Sequence, residues 1–138
     1  MSRALLSRVL CAVLSTSLAA GCAVHEGTPV RDDRPLPEQP IAEGIASFYG
    51  PGLHGLPTAN GERFDRNKLT AAHRQLLFGT CLRVVNLQNG RSVRVRVNDR
   101  GPFVGRRLLD LSEAAARRLD MIEKGIARVR VFLCKRPL

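Results

Sequence analysis

The segment Ser92–Asn98 alternates without a break, with Val93, Val95 and Val97 on one side and Arg94 and Arg96 on the other. A period of two puts successive side chains on opposite faces of the backbone, so the stretch predicts a half-buried β-strand and excludes a helix. Gln88-Asn89-Gly90 precedes it, and Asn-Gly readily takes the positive φ of a tight hairpin. The expected partner strand is Cys81–Leu87, apolar with Arg83 inserted. Arg128–Cys134 repeats the alternation through Val129, Val131 and Leu133, and Gly44–Tyr49 supplies a further short strand around Ile45, Ala46 and Phe48. Ser112 is placed to cap a short alanine-rich helix, Glu113–Leu119, and Glu113 suits the positive end of its dipole. Short strands, tight turns and one small helix predict a mainly β domain, closed as a barrel rather than left as an open sheet.

The chain has 138 residues, and three segments differ in composition. Residues 1–21 read as a secretory signal, with Arg3 and Arg8 at the start and an apolar stretch from Val9, too short to span a membrane. Leu18-Ala19-Ala20-Gly21-Cys22 resembles a bacterial lipobox, in which the cysteine is lipidated and becomes the first mature residue. The alternative is an ordinary signal cleaved nearby, with Cys22 a bystander. Residues 22–42 carry Pro29, Pro35, Pro37 and Pro40 among polar residues without apolar periodicity, as expected of a disordered tether. Residues 43–138 form the one domain, small enough that stability of about 5–15 kcal/mol is expected.

Two of the 22 Lys+Arg and none of the 12 Asp+Glu leave with the signal, so the net charge falls from +10 to +8. A basic exported chain is matched to anionic lipid headgroups and to cell-wall polymer. Nucleic acid is not an expected partner, since aromatics make up 4% of the chain and tryptophan is absent, leaving no stacking platform. Cys11 belongs to the signal, which leaves Cys81 and Cys134 in the domain. An oxidising compartment and their placement on two expected strands predict a disulfide, worth roughly 2–4 kcal/mol. Two buried free thiols are the alternative. Their spacing does not fit a zinc site, and no metal or organic cofactor is expected.

Polar residues gather in the turns. Asp99 ends the alternating strand and precedes Arg100-Gly101-Pro102, so a rigid strand would present its carboxylate; the alternative is a turn carboxylate bonded to its own backbone. Asp110 lies in Leu108-Leu109-Asp110-Leu111-Ser112, where a carboxyl would be partly desolvated, as suits a general acid; capping of the helix or pairing with Arg106 or Arg107 is the alternative. Glu62 follows the turn signal Asn60-Gly61, and His73 follows Thr70-Ala71-Ala72. Each could position a substrate, or be no more than a solvated or structural residue. His54, in a glycine-flanked loop, is at best a positioning group. Tyr49 suits either a sugar-stacking or a core role, and Arg94 with Arg96 either an anionic ligand or a solvated strand face. Such a set suits glycosidic-bond chemistry, in which one group protonates the leaving oxygen and others orient the sugar.

Taken in order, Gly44-Ile45-Ala46-Ser47-Phe48-Tyr49-Gly50, Thr58-Ala59-Asn60-Gly61-Glu62, Leu69-Thr70-Ala71-Ala72-His73, Phe78-Gly79-Thr80, Val85-Asn86-Leu87, Asn89-Gly90-Arg91-Ser92-Val93 and Val97-Asn98-Asp99-Arg100-Gly101-Pro102-Phe103 resemble the rare lipoprotein A (RlpA) family. The resemblance covers residues 44 to about 133. It implies a six-stranded double-psi β-barrel with one or two short helices, the fold of expansins and family 45 glycoside hydrolases. It also implies a lipoprotein of the bacterial envelope acting as a lytic transglycosylase on peptidoglycan. The family's acids fall on Glu62 and Asp99 and its histidine on His73, while the expansin-like pair of acids eleven apart falls on Asp99 and Asp110. Tyr49, Thr58, Asn60 and Arg100 are the substrate-binding residues that these motifs imply. Ala23, where an aspartate would favour inner-membrane retention, points to the outer membrane, with the domain in the periplasm. Larger members add a C-terminal repeat domain that targets peptidoglycan lacking stem peptides, whereas this sequence ends at Leu138. Some relatives of the barrel bind glycan and loosen it without cutting, so a non-catalytic wall-binding module stands as the alternative, and a structural lipoprotein contacting protein as a third.

Overall fold

A computed structural model of the chain describes residues 38–135. The expected signal, the candidate lipidation site Cys22 and most of the expected tether lie outside the described residues. The described residues form six strands: β1 (Ala42–Phe48), β2 (Thr70–Ala72), β3 (Cys81–Asn86), β4 (Ser92–Asp99), β5 (Arg107–Leu111) and β6 (Ile126–Leu133). One helix, α1 (Glu113–Arg118), and a single 3₁₀ turn, Pro51–Leu53, complete the elements among the described residues. The strands close on themselves in the order β1-β5-β2-β4-β3-β6. Pairs β1/β5 and β2/β4 are parallel and the other four are antiparallel. This is the closed double-psi β-barrel that the resemblance implied, and closure leaves no strand edge unpaired.

The alternating segments behave as their period requires. Val93, Val95 and Val97 of β4 point into the barrel with Leu82 and Val84 of β3 and Val129 and Val131 of β6, all buried. The β3–β4 hairpin turns through Gly90 at φ 73°, a conformation that suits glycine. Ser112 caps α1 by accepting the Ala115 N–H on its Oγ at 3.3 Å. The helix lays Ala115 and Ala116 on the core, which Leu109, Leu111, Leu119 and Met121 complete. Cys81 and Cys134 form a disulfide, their Cα atoms 5.4 Å apart, joining the start of β3 to the residue that follows β6.

Two irregularities position the site. The β2/β4 register runs Ala71↔Val97 and then Ala72↔Asp99, so β4 carries one extra residue, Asn98. The β1/β5 register runs Ile45↔Arg107 and then Ala46↔Leu109, so β5 carries Leu108 as its extra residue. A bulge of this kind shifts which face the following side chains occupy. Continued alternation from Val97 would send residue 99 inward. The bulge instead pairs Asp99 with Ala72, the outward neighbour of core residue Ala71.

Candidate active site

Asp99 and Asp110 fall on one row of the outer barrel face. Ala72 of β2 pairs with Asp99 of β4 on one side and with Asp110 of β5 on the other, and Asp110 pairs in turn with Ser47 of β1. The two acid-bearing strands are thus two strand spacings apart, roughly 9–10 Å between backbones. Ala72 is buried between them.

Three segments meet at Asp99. Its Oδ2 accepts the Tyr49 phenol O–H at 2.6 Å, and its Oδ1 accepts the N–H groups of Ala59 and Arg100, each at 2.8 Å. The turn bond to Arg100 is the self-bonding expected of an Asp in this position, but the other two donors come from elsewhere in the fold. Tyr49 packs its ring on Phe64, centroids 4.6 Å apart. Burial, then the hydrogen bond and charge of Asp99 and the charge of Asp110, push the Tyr49 phenol far above its usual range. It therefore stays protonated and donates, and it feels both carboxylates.

Asp110 is held from its other side. The Ser47 hydroxyl donates to Oδ1, and the Arg107 guanidinium lies 3.6 Å from Oδ2 while donating to Ser47 Oγ at 2.9 Å. The side chain of Asp110 is 14% exposed, in keeping with the desolvation expected of an acid in an apolar run. Pairing with Arg107 is realised, whereas capping of α1 falls to Ser112.

Glu62 sits on the Thr58–Glu62 turn beneath the end of β4. Arg96 grips it bidentately, with Nη1–Oε1 at 2.7 Å and Nη2–Oε2 at 2.9 Å, and Asn98 Nδ2 donates to Oε2 at 3.3 Å. The Arg96 hydrogen bonds, with help from Asn60 and Asn98, hold the Glu62 carboxyl down at about 2. Glu62 is therefore an anion at neutral pH. Arg96, which the alternation placed on the outer face, meets an internal carboxylate there.

His73 follows β2 directly, and its N–H donates to the Asp99 carbonyl at 3.2 Å. Its Nδ1 accepts the N–H groups of Gln75 and Leu76 at 3.1 and 3.0 Å, which fixes the neutral tautomer with the proton on Nε2. Burial and the nearby charges of Arg100 and Arg74 lower its pKa, so the ring remains neutral near pH 7.

Two residues expected to bind substrate are engaged within the fold. Thr58 is buried, its Oγ1 2.6 Å from Asn60 Oδ1 and 2.9 Å from the Glu62 carbonyl. Arg100 donates to the carbonyls of His73 and Leu76 and lies over the Phe78 ring, 3.8 Å from its centroid. Both shape the turns that carry Glu62 and His73. Asn60 does the same, its Oδ1 accepting the Glu62 N–H at 3.1 Å. His54 lies apart, its Nδ1 accepting the Arg66 N–H at 3.3 Å. Sequence reasoning passed over Ser47, although its place next to inward-facing Ala46 was a signal that it points outward.

A cavity of about 390 Å³ opens beside this row, with His73 and Arg107 in its wall. A second, of about 290 Å³, lies away from the carboxylates near Arg83 and Cys134.

A family model described as "Lytic transglycolase" matches residues 41–131, the whole of the barrel up to the middle of β6. The chain belongs to this family. Its RlpA relatives include a Synechocystis protein named "Probable endolytic peptidoglycan transglycosylase RlpA", 61% identical over 89 residues, covering 64% of this chain and 28% of that protein. A Campylobacter jejuni protein named "Endolytic peptidoglycan transglycosylase RlpA" is 59% identical over 90 residues, covering 65% of this chain and 33% of that protein. The chain thus spans about a third or less of the length of these relatives. Among solved structures, Streptomyces papain inhibitor matches with a TM-score of 0.57 at 23% identity, over 73% of this chain and all of that one. A Clavibacter michiganensis expansin matches at 0.56 and 25% identity, over 70% of this chain and 51% of that one. These likenesses carry the fold, and the RlpA relatives carry the family.

Proposed function

We propose that this RlpA-family barrel is an endolytic lytic transglycosylase, cleaving the MurNAc–GlcNAc strands of peptidoglycan to leave 1,6-anhydro-MurNAc ends. The names of its relatives support the substrate and reaction. The observation that carries the reading onto this chain is the row in which Asp99 and Asp110 flank Ala72 on the outer barrel face.

Three carboxylates are available, and their different surroundings support different roles. Glu62 and Asp110 each face an arginine, Arg96 and Arg107. Asp99 has no ion pair among the described residues, its oxygens being answered by the neutral donors Tyr49, Ala59 N–H and Arg100 N–H, and we take it as the proton donor. In the proposed reaction Asp99 donates a proton to the bridging oxygen as the C1–O bond breaks. The 6-hydroxyl oxygen of the same MurNAc then bonds to C1, and its proton passes back to the Asp99 carboxylate. No water is consumed. Asp110, beside Arg107, stabilises positive charge developing at C1. Tyr49 orients Asp99, Glu62 orders the turn beside it, and neutral His73 offers Nε2–H to a sugar oxygen.

We further propose that the barrel works in the periplasm, carried by a lipid on Cys22 and the proline-rich segment, with the outer membrane as the site of anchorage. The signal pattern and Ala23 support this reading. Labelling cells with a clickable fatty acid tests it: label on the wild-type chain that disappears in Cys22→Ala is expected, and unlabelled wild-type chain rejects it.

Digestion of purified sacculi followed by mass analysis tests the activity. Anhydro-muropeptides are expected from the wild type, none from Asp99→Asn, and fewer from Asp110→Asn. Product formation by Asp99→Asn at the wild-type rate would remove Asp99 from the chemistry. The expansin likeness favours a second reading, a barrel that binds glycan without cutting it. Wild-type binding with no product would establish that instead.

A further inference from the structure

The loop that joins the two acid-bearing strands carries an uncovered aromatic ring. Residues 100–106 leave β4 after Asp99 and enter β5 at Arg107. β2 runs parallel to β4 and antiparallel to β5, so the loop crosses the barrel end where β2 stops and His73 emerges. Ala72, the last residue of β2, is the one that pairs with both Asp99 and Asp110. The loop therefore borders the acid row. It is also clasped. Arg74 donates through Nε to the Pro102 carbonyl at 2.6 Å and through Nη2 to the Gly105 carbonyl at 2.9 Å, and Gly101 and Pro102 are buried. Arg74, Gly105, Arg106 and Arg107 line the cavity next to the row. Phe103, the middle residue of the loop, is held between these anchors yet is 79% exposed. One edge of its ring lies over Gly101, with Cδ2 and Cε2 standing 3.6 and 3.7 Å from the point a Cβ there would occupy. Gly101 has φ 124°, a conformation that residues with side chains rarely adopt.

The other Phe and Tyr rings are engaged. Phe64 is buried, Tyr49 packs on it and donates to Asp99, and Phe48 packs against the core. Arg100 covers Phe78, and Arg83 covers Phe132. Tyr49, a candidate for stacking on sugar, is thus turned to the acid instead. We propose that Phe103 is the stacking platform for a sugar ring of the glycan strand, set at the edge of the acid row so that it fixes how the strand lies across Asp99. The inference rests on the peptidoglycan reading and adds a substrate-binding residue to it. A pyranose has an apolar face of C–H groups, and laying that face on an aromatic ring removes both surfaces from water. Lipid suits the place less, since burying the ring in a bilayer would draw Asp99 and Asp110 toward anionic headgroups.

The test is binding of soluble glycan strands, labelled at one end, to the full chain, read by fluorescence anisotropy in the cold before strands are consumed. Phe103→Ala is expected to bind about threefold to tenfold more weakly, and Phe103→Tyr to match the wild type. The urea midpoint of Phe103→Ala should stay at the wild-type value, because the ring is exposed. A lower midpoint that accounts for the weaker binding would make the ring a prop for its loop and overturn the platform. The chain has no tryptophan, so Phe103→Trp places a single reporter at the site. Strands are expected to shift its emission to shorter wavelength, and to leave unmoved that of Leu133→Trp on β6, the strand opposite β2 in the ring of six. Equal affinity in Phe103→Ala, or Phe103→Trp emission that strands do not move, overturns the platform. A shift with phosphatidylglycerol vesicles and none with strands also overturns it and assigns the ring to a lipid surface. A strand-driven shift without anhydro products keeps the platform and defeats the transglycosylase reading. Anhydro products from the wild type, with undiminished binding by Phe103→Ala, do the reverse.

Discussion

Glu62 and Asp99 stand on adjoining segments, yet a single arginine separates their chemistry. Arg96 holds Glu62 as an anion at about 2, below the 4.5 of an unconstrained glutamate. A depressed carboxylate contributes stability that is fully present above pH 4.5 and is lost as pH falls toward 2. The pair is partly exposed, so its worth is no more than about 1 kcal/mol. In Glu62→Gln the decline in Tm between pH 5 and 2 is expected to flatten, and an acid limb identical to wild type would contradict this. His73 acts in the same direction at higher pH. Its folded pKa lies below the ordinary 6.5, so the unfolded chain binds the proton first and stability falls as pH drops through that value. Tyr49→Phe removes the one side-chain donor to Asp99 among the described residues. A hydrogen bond to a carboxylate predicts a loss of about 1–2 kcal/mol in the denaturation midpoint, with turnover on sacculi down roughly tenfold. An unchanged rate would show that Asp99 does not depend on the phenol. The residue types at these positions were legible in the motifs. Their partners were not, because Arg96 lies 34 positions from Glu62 and Tyr49 lies 50 from Asp99.

At the scale of elements, the alternating segments declared themselves, since period-two patterning is a property of sequence alone. Their ends moved by one or two residues: β4 runs on to Asp99, β6 begins at Ile126, and α1 stops at Arg118 with Leu119 as its C-cap. The bulges at Asn98 and Leu108 were hidden, because an extra residue leaves no mark on a short pattern of mixed polarity. They matter more than the boundaries do, since they turn Asp99 outward and set Asp110 opposite Ser47. The helix cap is the most testable junction. Ser112 Oγ accepts from Ala115 N–H and lies 3.4 Å from Thr70 N, tying α1 to β2. Ser112→Ala should cost about 1–2 kcal/mol of stability in urea denaturation. A shift within error would show that the cap is dispensable.

For the whole molecule, closure joins strands that are far apart in the chain. β1 lies between β5 and β6, and β2 between β4 and β5. The disulfide reinforces that closure across 53 residues of chain. A cross-link of that span restricts the unfolded ensemble by up to about 4 kcal/mol. Replacing both Cys81 and Cys134 with serine should lower Tm by roughly 10–25 °C, measured by calorimetry under non-reducing conditions. A fall of only a degree or two would mean the barrel closes without help from the bridge.

Strand period, hairpin chemistry, the helix cap and the ordered motifs were determined by sequence alone, because each depends on residues within about ten positions of one another. They sufficed for a mainly β barrel and for naming Glu62, His73, Asp99 and Asp110. Which acid faces an arginine, and the setting of both aspartates on one row beside a basic cavity, were decided only by tertiary structure. The physical reason is that these features come from register between β1, β2, β4 and β5. Register follows from burying all the inward faces of the barrel at once, which no single segment encodes.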